Sequence, residues 1–505
     1  MPARPHDACG VGFVADAHGR PARTIVAAAL EGLANVRHRG AVAADARTSD
    51  GTGLLTPLPA AVYGEGVGVA QLFVAPDAAD PRPAVAAAAE AEGLVVEGWR
   101  TPPTDDDVLG ELARASRPEI LQALLRPGPG LGPADAADVE RAAYRVRRRL
   151  MTTAPGTYVV SCSFRTITHK GLVAADAVAD FWLDLADEAF VGHFAVFHQR
   201  FSTNTLPTWE RAQPFRTLAH NGEINTLWGN ANRMRGRGRL GTEAAGLGDE
   251  ALFTPLLDDD DSDSGQLDEV VELLTRGGRH VAHAVAMLVP EAWEEARDLT
   301  PEVRGFFAYH SALVEPWDGP AGLVFTDGVG VGAALDRNGL RPLRFSLCED
   351  GLVVCCSEAG AVDLTGHGTV ERGRLGPGHM LWVDPDNGVV RDRALKQAGA
   401  ALHPFARWAA QGLRPFPTGQ PVEVVPDDVV TRQVAHGYTR EELAMILKPM
   451  AEDGKEPTFS MGDDSPLPPM AGRPRPVAHF LRQRFALARR RQDGHLEAIS
   501  GQTSG

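Results

Sequence analysis

The residue that most constrains this chain is Cys9, which opens the run Cys9-Gly10-Val11-Gly12-Phe13-Val14 after eight preceding residues. The run reads as a first β-strand with a thiol at its leading end. Cleavage between Ala8 and Cys9 would turn an inert amide nitrogen into a free α-amine with a pKa of about 7.7 to 8.0, beside a thiol of about 8.5. One residue would then carry both nucleophile and base. The competing reading is a structural cysteine buried in that strand, and residues elsewhere decide between the two.

At 505 residues the chain has room for two or three domains, and 44% hydrophobic content supports a large buried core. A formal net charge of -16 argues against nucleic-acid or membrane-surface binding, each of which wants a basic face. No apolar run is long enough for a membrane span, and residues 1–8 lack the apolar core of a secretory signal, so the expected location is the cytoplasm. The five cysteines, at 9, 162, 348, 355 and 356, form neither a disulfide framework nor a CxxC knuckle, and no metal site is expected.

Ile25, Val26, Ala29, Leu30 and Leu33 give helical spacing over 24–36, ending in Arg37-His38-Arg39-Gly40-Ala41. Residues 76–89 are rich in Ala and Pro, and from there to 149 Ala-rich helical patterns carry no evident chemistry. Alternation predicts strands over 156–164 and 191–201, with a helix over 179–188 between them. Asp327-Gly328 and Glu349-Asp350-Gly351 sit between apolar runs as hairpin turns, which predicts an antiparallel sheet. Over 396–426 the composition shifts to Ala, Pro, Gly and Gln, read as a boundary. Thr439-Arg440-Glu441-Glu442 then reads as a capping box for a helix through Leu443, Met445, Ile446 and Leu447 that stops before Gly454. Residues 491–505 lack apolar periodicity and are expected to fray.

Candidate chemistry begins at His198-Gln199-Arg200-Phe201-Ser202-Thr203-Asn204-Thr205, where Arg200 stands at the end of a strand and can grip a carboxylate bidentately. In His220-Asn221-Gly222-Glu223-Ile224-Asn225, an Asn amide and a Gly backbone N–H can together face a developing oxyanion, which suits acyl transfer. Asp258-Asp259-Asp260-Asp261-Ser262-Asp263-Ser264 offers carboxylates for a substrate ammonium group, or else a solvated or cation-binding loop. Gly328-Val329-Gly330-Val331-Gly332 lacks GxGxxG spacing and reads as hairpin glycines. Cys355 and Cys356 lie in an apolar run, so at least one reads as core and neither as a ligand. His6 and His18 are near Cys9 in sequence, but a Cys–His pair is unnecessary if the amine is the base.

In this order the segments resemble class II glutamine amidotransferases, specifically the amidotransferase domain of glutamate synthase large subunits. The carriers are Cys9 to Val14, His38-Arg39-Gly40-Ala41 with Asp50-Gly51, His198 to Asn232, Ser262-Asp263-Ser264-Gly265, Glu315-Pro316-Trp317-Asp318-Gly319-Pro320 and Asp336-Arg337-Asn338-Gly339-Leu340-Arg341-Pro342. Gly437-Tyr438-Thr439, Gly454-Lys455-Glu456-Pro457 and Ser460-Met461-Gly462-Asp463-Asp464 resemble the start of the same subunits' central domain. The resemblance implies an α+β fold of the N-terminal-nucleophile hydrolase type, a four-layer αββα sandwich with two antiparallel sheets between helical layers, over 9–400. It implies a propeptide over 1–8, a linker over 401–426, a partial α/β central domain over 427–488 and a disordered tail over 489–505. Cys9 would be the nucleophile, Arg39 would orient it, and Arg200 would bind the glutamine α-carboxylate. Asn221 and Gly222 would form the oxyanion hole, and Asp263 would pair with the α-ammonium group.

Subunits of this family are far longer than the present chain, so a truncated or split reading frame is expected, with glutaminase as its own half-reaction. The resemblance places FMN and an iron–sulfur cluster in the part beyond this chain, with no cofactor expected here. Implied partners are L-glutamine, the rest of the synthase and a small NAD(P)H-oxidising subunit, with no nucleic acid and no membrane. Two alternatives stand beside it: a non-catalytic remnant that binds glutamine or a synthase subunit, and an amidotransferase acting on another acceptor, for which the residues after 426 offer no domain.

Overall fold

The first strand, β1 (Gly10–Asp16), begins immediately after Cys9. In the computed structural model, which describes residues 9–134, 136–200, 206–237, 242–414 and 425–454, this strand lies at the centre of a sheet. Val11, Phe13 and Ala15 leave one face into an apolar layer, and Gly10, Gly12 and Val14 occupy the other. A Cβ on Gly12 would stand 2.5 Å from the Phe197 ring and 2.7 Å from the Cys355 carbonyl oxygen. Only glycine fits between those neighbours.

The other strands among the described residues are β2 (Thr52–Pro57), β3 (Gly68–Val74), β4 (Leu94–Arg100), β5 (Glu119–Pro127), β6 (Thr157–Ser163), β7 (Thr166–Gly171), β8 (Phe194–Gln199), β9 (Leu218–Gly222), β10 (Ala321–Thr326), β11 (Val331–Leu335), β12 (Arg344–Cys348), β13 (Leu352–Cys356), β14 (Val370–Arg374), β15 (Met380–Asp384) and β16 (Gly388–Arg391). A seven-stranded sheet has the order β14-β12-β13-β1-β8-β2-β7, and a five-stranded sheet the order β16-β15-β11-β10-β9. Neighbouring strands run antiparallel throughout. Their inner faces meet through Val11, Phe13, Leu55, Val196, Val324 and Ala333. Helix Arg23–Asn35 covers the outer face of the larger sheet with Ile25, Val26, Ala29 and Leu33. Helices Asp263–Arg276, Val281–Leu288 and Pro301–Ser311 cover the smaller one. The result is the expected αββα order of layers, and both expected hairpins are present, as β10–β11 and β12–β13.

Three local expectations need correction. The 89–149 stretch, read as Ala-rich helical patterns, contributes β4 and β5 to a third antiparallel sheet, β4-β5-β3-β6. The helix expected over 179–188 is a set of short turns, Val178–Phe181 and Leu183–Ala186. Within the span read as linker lies the helix Phe405–Gly412, whose Phe405 is 2% exposed and packs on Phe306 and Tyr309.

The described residues divide between Ala409 and Ala410 into two compact units. In the second, Thr439 caps Arg440–Glu442 in the expected reciprocal box, and helical turns continue to Asp453 before Gly454 at φ 63°. A π-turn over Leu443–Leu447 precedes Pro449, where the missing proline N–H leaves a regular helical bond unmade. The leader 1–8, the segment Phe201–Thr205, the middle of the linker (415–424), most of the central-domain span and the tail lie outside the described residues.

Candidate active site

Backbone pairing brings the site together. In β1 and β8, Gly10 pairs with Gln199, so Cys9 and Arg200 emerge side by side from adjacent strand ends. Arg200 is 6% exposed; its backbone N–H donates to the Gly51 carbonyl at 2.8 Å and its Nη1 to the Asp50 carbonyl at 3.3 Å. Burial lowers the pKa of this guanidinium, Arg211 adding to the effect while Cys9, Asp50 and Asp263 oppose it. Its charge is held close to the thiol and to two carboxylates.

Asn221 lies in β9, at the edge of the facing sheet, yet its Nδ2 donates to the Cys9 carbonyl oxygen at 2.8 Å. It is 1% exposed, and its Oδ1 has no hydrogen-bond partner among the described residues. Gly222 follows at φ 141°, where a Cβ would sit 1.7 Å from the Pro320 carbonyl oxygen, so no side chain fits. Asp263 is the first residue of its helix, with Ser262 as N-cap accepting from the Gly265 N–H at 3.1 Å. Asp263 Oδ2 accepts from the Ile224 N–H at 2.9 Å, tying the helix start to the segment just after Gly222.

Arg39 comes from the turn Arg37–Arg39, which closes helix Arg23–Asn35. Its neighbour Gly40 abuts Gln199, the residue paired with Gly10, which puts the turn beside the Cys9 strand. The Arg39 Nε pairs with Glu358, just past β13. Burial would raise the Glu358 carboxyl, but Arg39 and His38 outweigh it and hold its pKa below the ordinary value. Sequence reasoning did not anticipate Glu358, because no local pattern links positions 319 residues apart. His18 lies nine residues from Cys9, past the far end of β1, whose seven residues at about 3.3 Å each separate the two, so it is no partner for the thiol.

Two further residues staple β9 to the helix that carries Asp263. Asp268, fully buried, accepts from the Thr217 N–H and hydroxyl at 2.7 Å each and from the Leu218 N–H at 3.1 Å. His220 Nδ1 lies 2.8 Å from Ser264 Oγ. The period of strand β9 gives a signal for the second contact: if Asn221 faces the nucleophile, His220 faces the opposite side. The remaining run is structural, with Asp261 buried and Asp259 and Asp260 exposed. Cys162, Cys348, Cys355 and Cys356 are buried, and among the described residues no group of three His, Cys, Asp or Glu is placed to hold a metal ion. No helix among them is long and apolar enough to cross a membrane.

The family of class-II glutamine amidotransferases matches residues 9–408, beginning at Cys9 itself. The chain belongs to that family. The glutamate synthase central domain matches residues 431–488 of this amidotransferase. Among full-length relatives, ferredoxin-dependent glutamate synthase 2 of Synechocystis sp. is 40% identical over 95% of this chain and 32% of its own length. The glutamate synthase [NADPH] large chain of Azospirillum brasilense is 40% identical over 96% of this chain and 34% of its own length, and that of Bacillus subtilis 39% over 95% and 33%. The chain thus spans about a third of the length of the curated relatives it matches.

Proposed function

We propose that this chain is the glutaminase part of a glutamate synthase, hydrolysing L-glutamine to L-glutamate and ammonia through a thioester on Cys9. The observation that carries the reading is the approach of Asn221 Nδ2 to Cys9 at the head of β1, with Arg200 on the adjacent strand end. Removal of residues 1–8 frees the Cys9 α-amine. The thiolate attacks the side-chain carboxamide carbon, and the oxyanion that forms takes hydrogen bonds from Asn221 Nδ2 and the Gly222 N–H. The C–N bond then breaks, ammonia leaving with a proton passed through the α-amine. Water attacks the thioester, releases glutamate and restores the thiol.

Arg200 binds the glutamine α-carboxylate and Asp263 its α-ammonium group, while Arg39, held by Glu358, keeps the Cys9 end in place. In the assembled enzyme the ammonia goes to reductive amination of 2-oxoglutarate, carried out by FMN- and iron–sulfur-bearing parts beyond this chain with electrons from a donor subunit or protein, in the cytoplasm. This reading is tested by N-terminal sequencing and active-site labelling. Active protein begins at Cys-Gly-Val-Gly, a glutamine-analogue electrophile labels Cys9 alone among the five cysteines, and Cys9→Ala is inactive. Active protein that retains Met1 overturns the amine-as-base mechanism.

A further inference from the structure

Because His220 and Asn221 are consecutive in β9, their side chains leave opposite faces. Asn221 turns to Cys9, and His220 turns to the start of helix Asp263–Arg276. There Ser264 Oγ, 2.8 Å from His220 Nδ1, donates to Asp263 Oδ1 at 3.1 Å, beside the Ser264 backbone N–H that donates to the same oxygen at 2.7 Å. A hydroxyl has one proton to give, so Ser264 accepts from the imidazole, which therefore carries its proton on Nδ1. In agreement, His220 Nε2 has no hydrogen-bond partner among the described residues. The backbone of His220 is held on both sides: its N–H donates to Gln213 Oε1 at 2.7 Å, and its carbonyl lies 3.0 Å from His198 Nε2. His220 and Ser264 are 1% and 3% exposed, so water does not compete for these bonds.

We propose that His220 and Ser264 are positioning residues that orient the Asp263 carboxylate and fix its distance from Asn221, so that the site measures the separation between the carboxamide and the α-ammonium group of its substrate. The proposal rests on the glutaminase reading and on Asp263 as the ammonium partner. Burial keeps the imidazole below its ordinary pKa, Arg341 acting the same way against Asp263 and Asp336, so the relay runs through a neutral ring. The Ile224 N–H fixes the other oxygen, Oδ2, at 2.9 Å. With both oxygens anchored, the carboxylate has one orientation to offer an incoming cation.

The test is steady-state glutaminase kinetics on the mature full chain. His220→Ala and Ser264→Ala should each raise the glutamine KM by roughly 5- to 30-fold, the cost of losing one buried hydrogen bond, with kcat changed much less. The double variant should be no worse than either single one, since both break the same chain. His220→Asn should restore KM, because its amide nitrogen can take the place of Nδ1 as donor. Iodoacetamide, which has no ammonium group, should alkylate Cys9 at the wild-type rate in every variant, whereas general loss of structure would change that rate and open the buried Cys162, Cys348, Cys355 and Cys356 to the reagent. Unchanged KM in both alanine variants, additive effects, failure of the asparagine rescue or altered alkylation overturns the relay. Wild-type protein that iodoacetamide alkylates but that neither binds nor hydrolyses glutamine overturns the underlying reading as well.

Discussion

Asn221 and Arg200 act on opposite ends of the proposed substrate, so their substitutions should separate kinetically. Asn221→Ala removes a donor to charge that exists only in the transition state and is expected to lower kcat by roughly 10² to 10³. Arg200→Lys and Asp263→Asn loosen the unreacting end and are expected to raise KM, with a smaller loss of kcat because remote binding energy also aligns the amide. Steady-state glutaminase assays distinguish the two, and an unchanged KM in both clamp variants would sink that assignment. Arg200 and Asn221 were legible as candidates in sequence because a strand end and the Asn-Gly step mark them locally, whereas only the family resemblance singled Asp263 out of its acidic run. Glu358 and Ser264 were not legible as partners of Arg39 and His220, since each contact joins segments that only the folded sheets bring together.

At the scale of elements, the helix Phe405–Gly412 shows what composition alone misreads. Set in a stretch biased to Ala, Pro, Gly and Gln, it resembles a linker, yet Phe405 sits among His283, Phe306, His310 and Tyr309. Gly305 of the facing helix comes so close that an added Cβ would stand 2.4 Å from the Ala406 Cα. A chain ending at residue 400 should therefore be less stable than one ending at 414, by about 3 to 5 kcal/mol for the lost Phe405 alone, measured by denaturant unfolding. Equal stability would restore the linker reading. The strand β5 was missed for the opposite reason: Ile120, Leu121, Gln122 and Ala123 are all buried, so the strand lacks the alternation that separates strands from helices. The capping box at Thr439 was read correctly because every group in it lies within four residues.

Over the whole molecule, the layered core buries charges as well as apolar side chains. Lys170 in β7 is 1% exposed, its Nζ donating to the Glu210 carbonyl at 2.6 Å beside the Tyr158 and Phe215 rings. Burial, reinforced by Arg216, lowers its pKa to about 7. Between pH 7 and the unfolded value near 10.4 the unfolded chain then binds more protons than the folded one, so this group makes stability rise with pH, by at most about 1.4 kcal/mol per pH unit. Unfolding at pH 7, 8 and 9 should show that slope diminished in Lys170→Met; an identical slope would mean the ammonium stays charged in the fold. The sequence by itself determined the strand that follows Cys9, the hairpins at Asp327-Gly328 and Glu349-Asp350-Gly351, and the family to which the chain belongs, because alternation, turn residues and contiguous motifs are local properties. Only the tertiary structure decided that β9 of one sheet hands Asn221 to a cysteine at the head of the other, and that His220 behind it reaches the helix bearing Asp263. Those contacts depend on how two sheets and a helix stack, which is set by burial summed over the whole core.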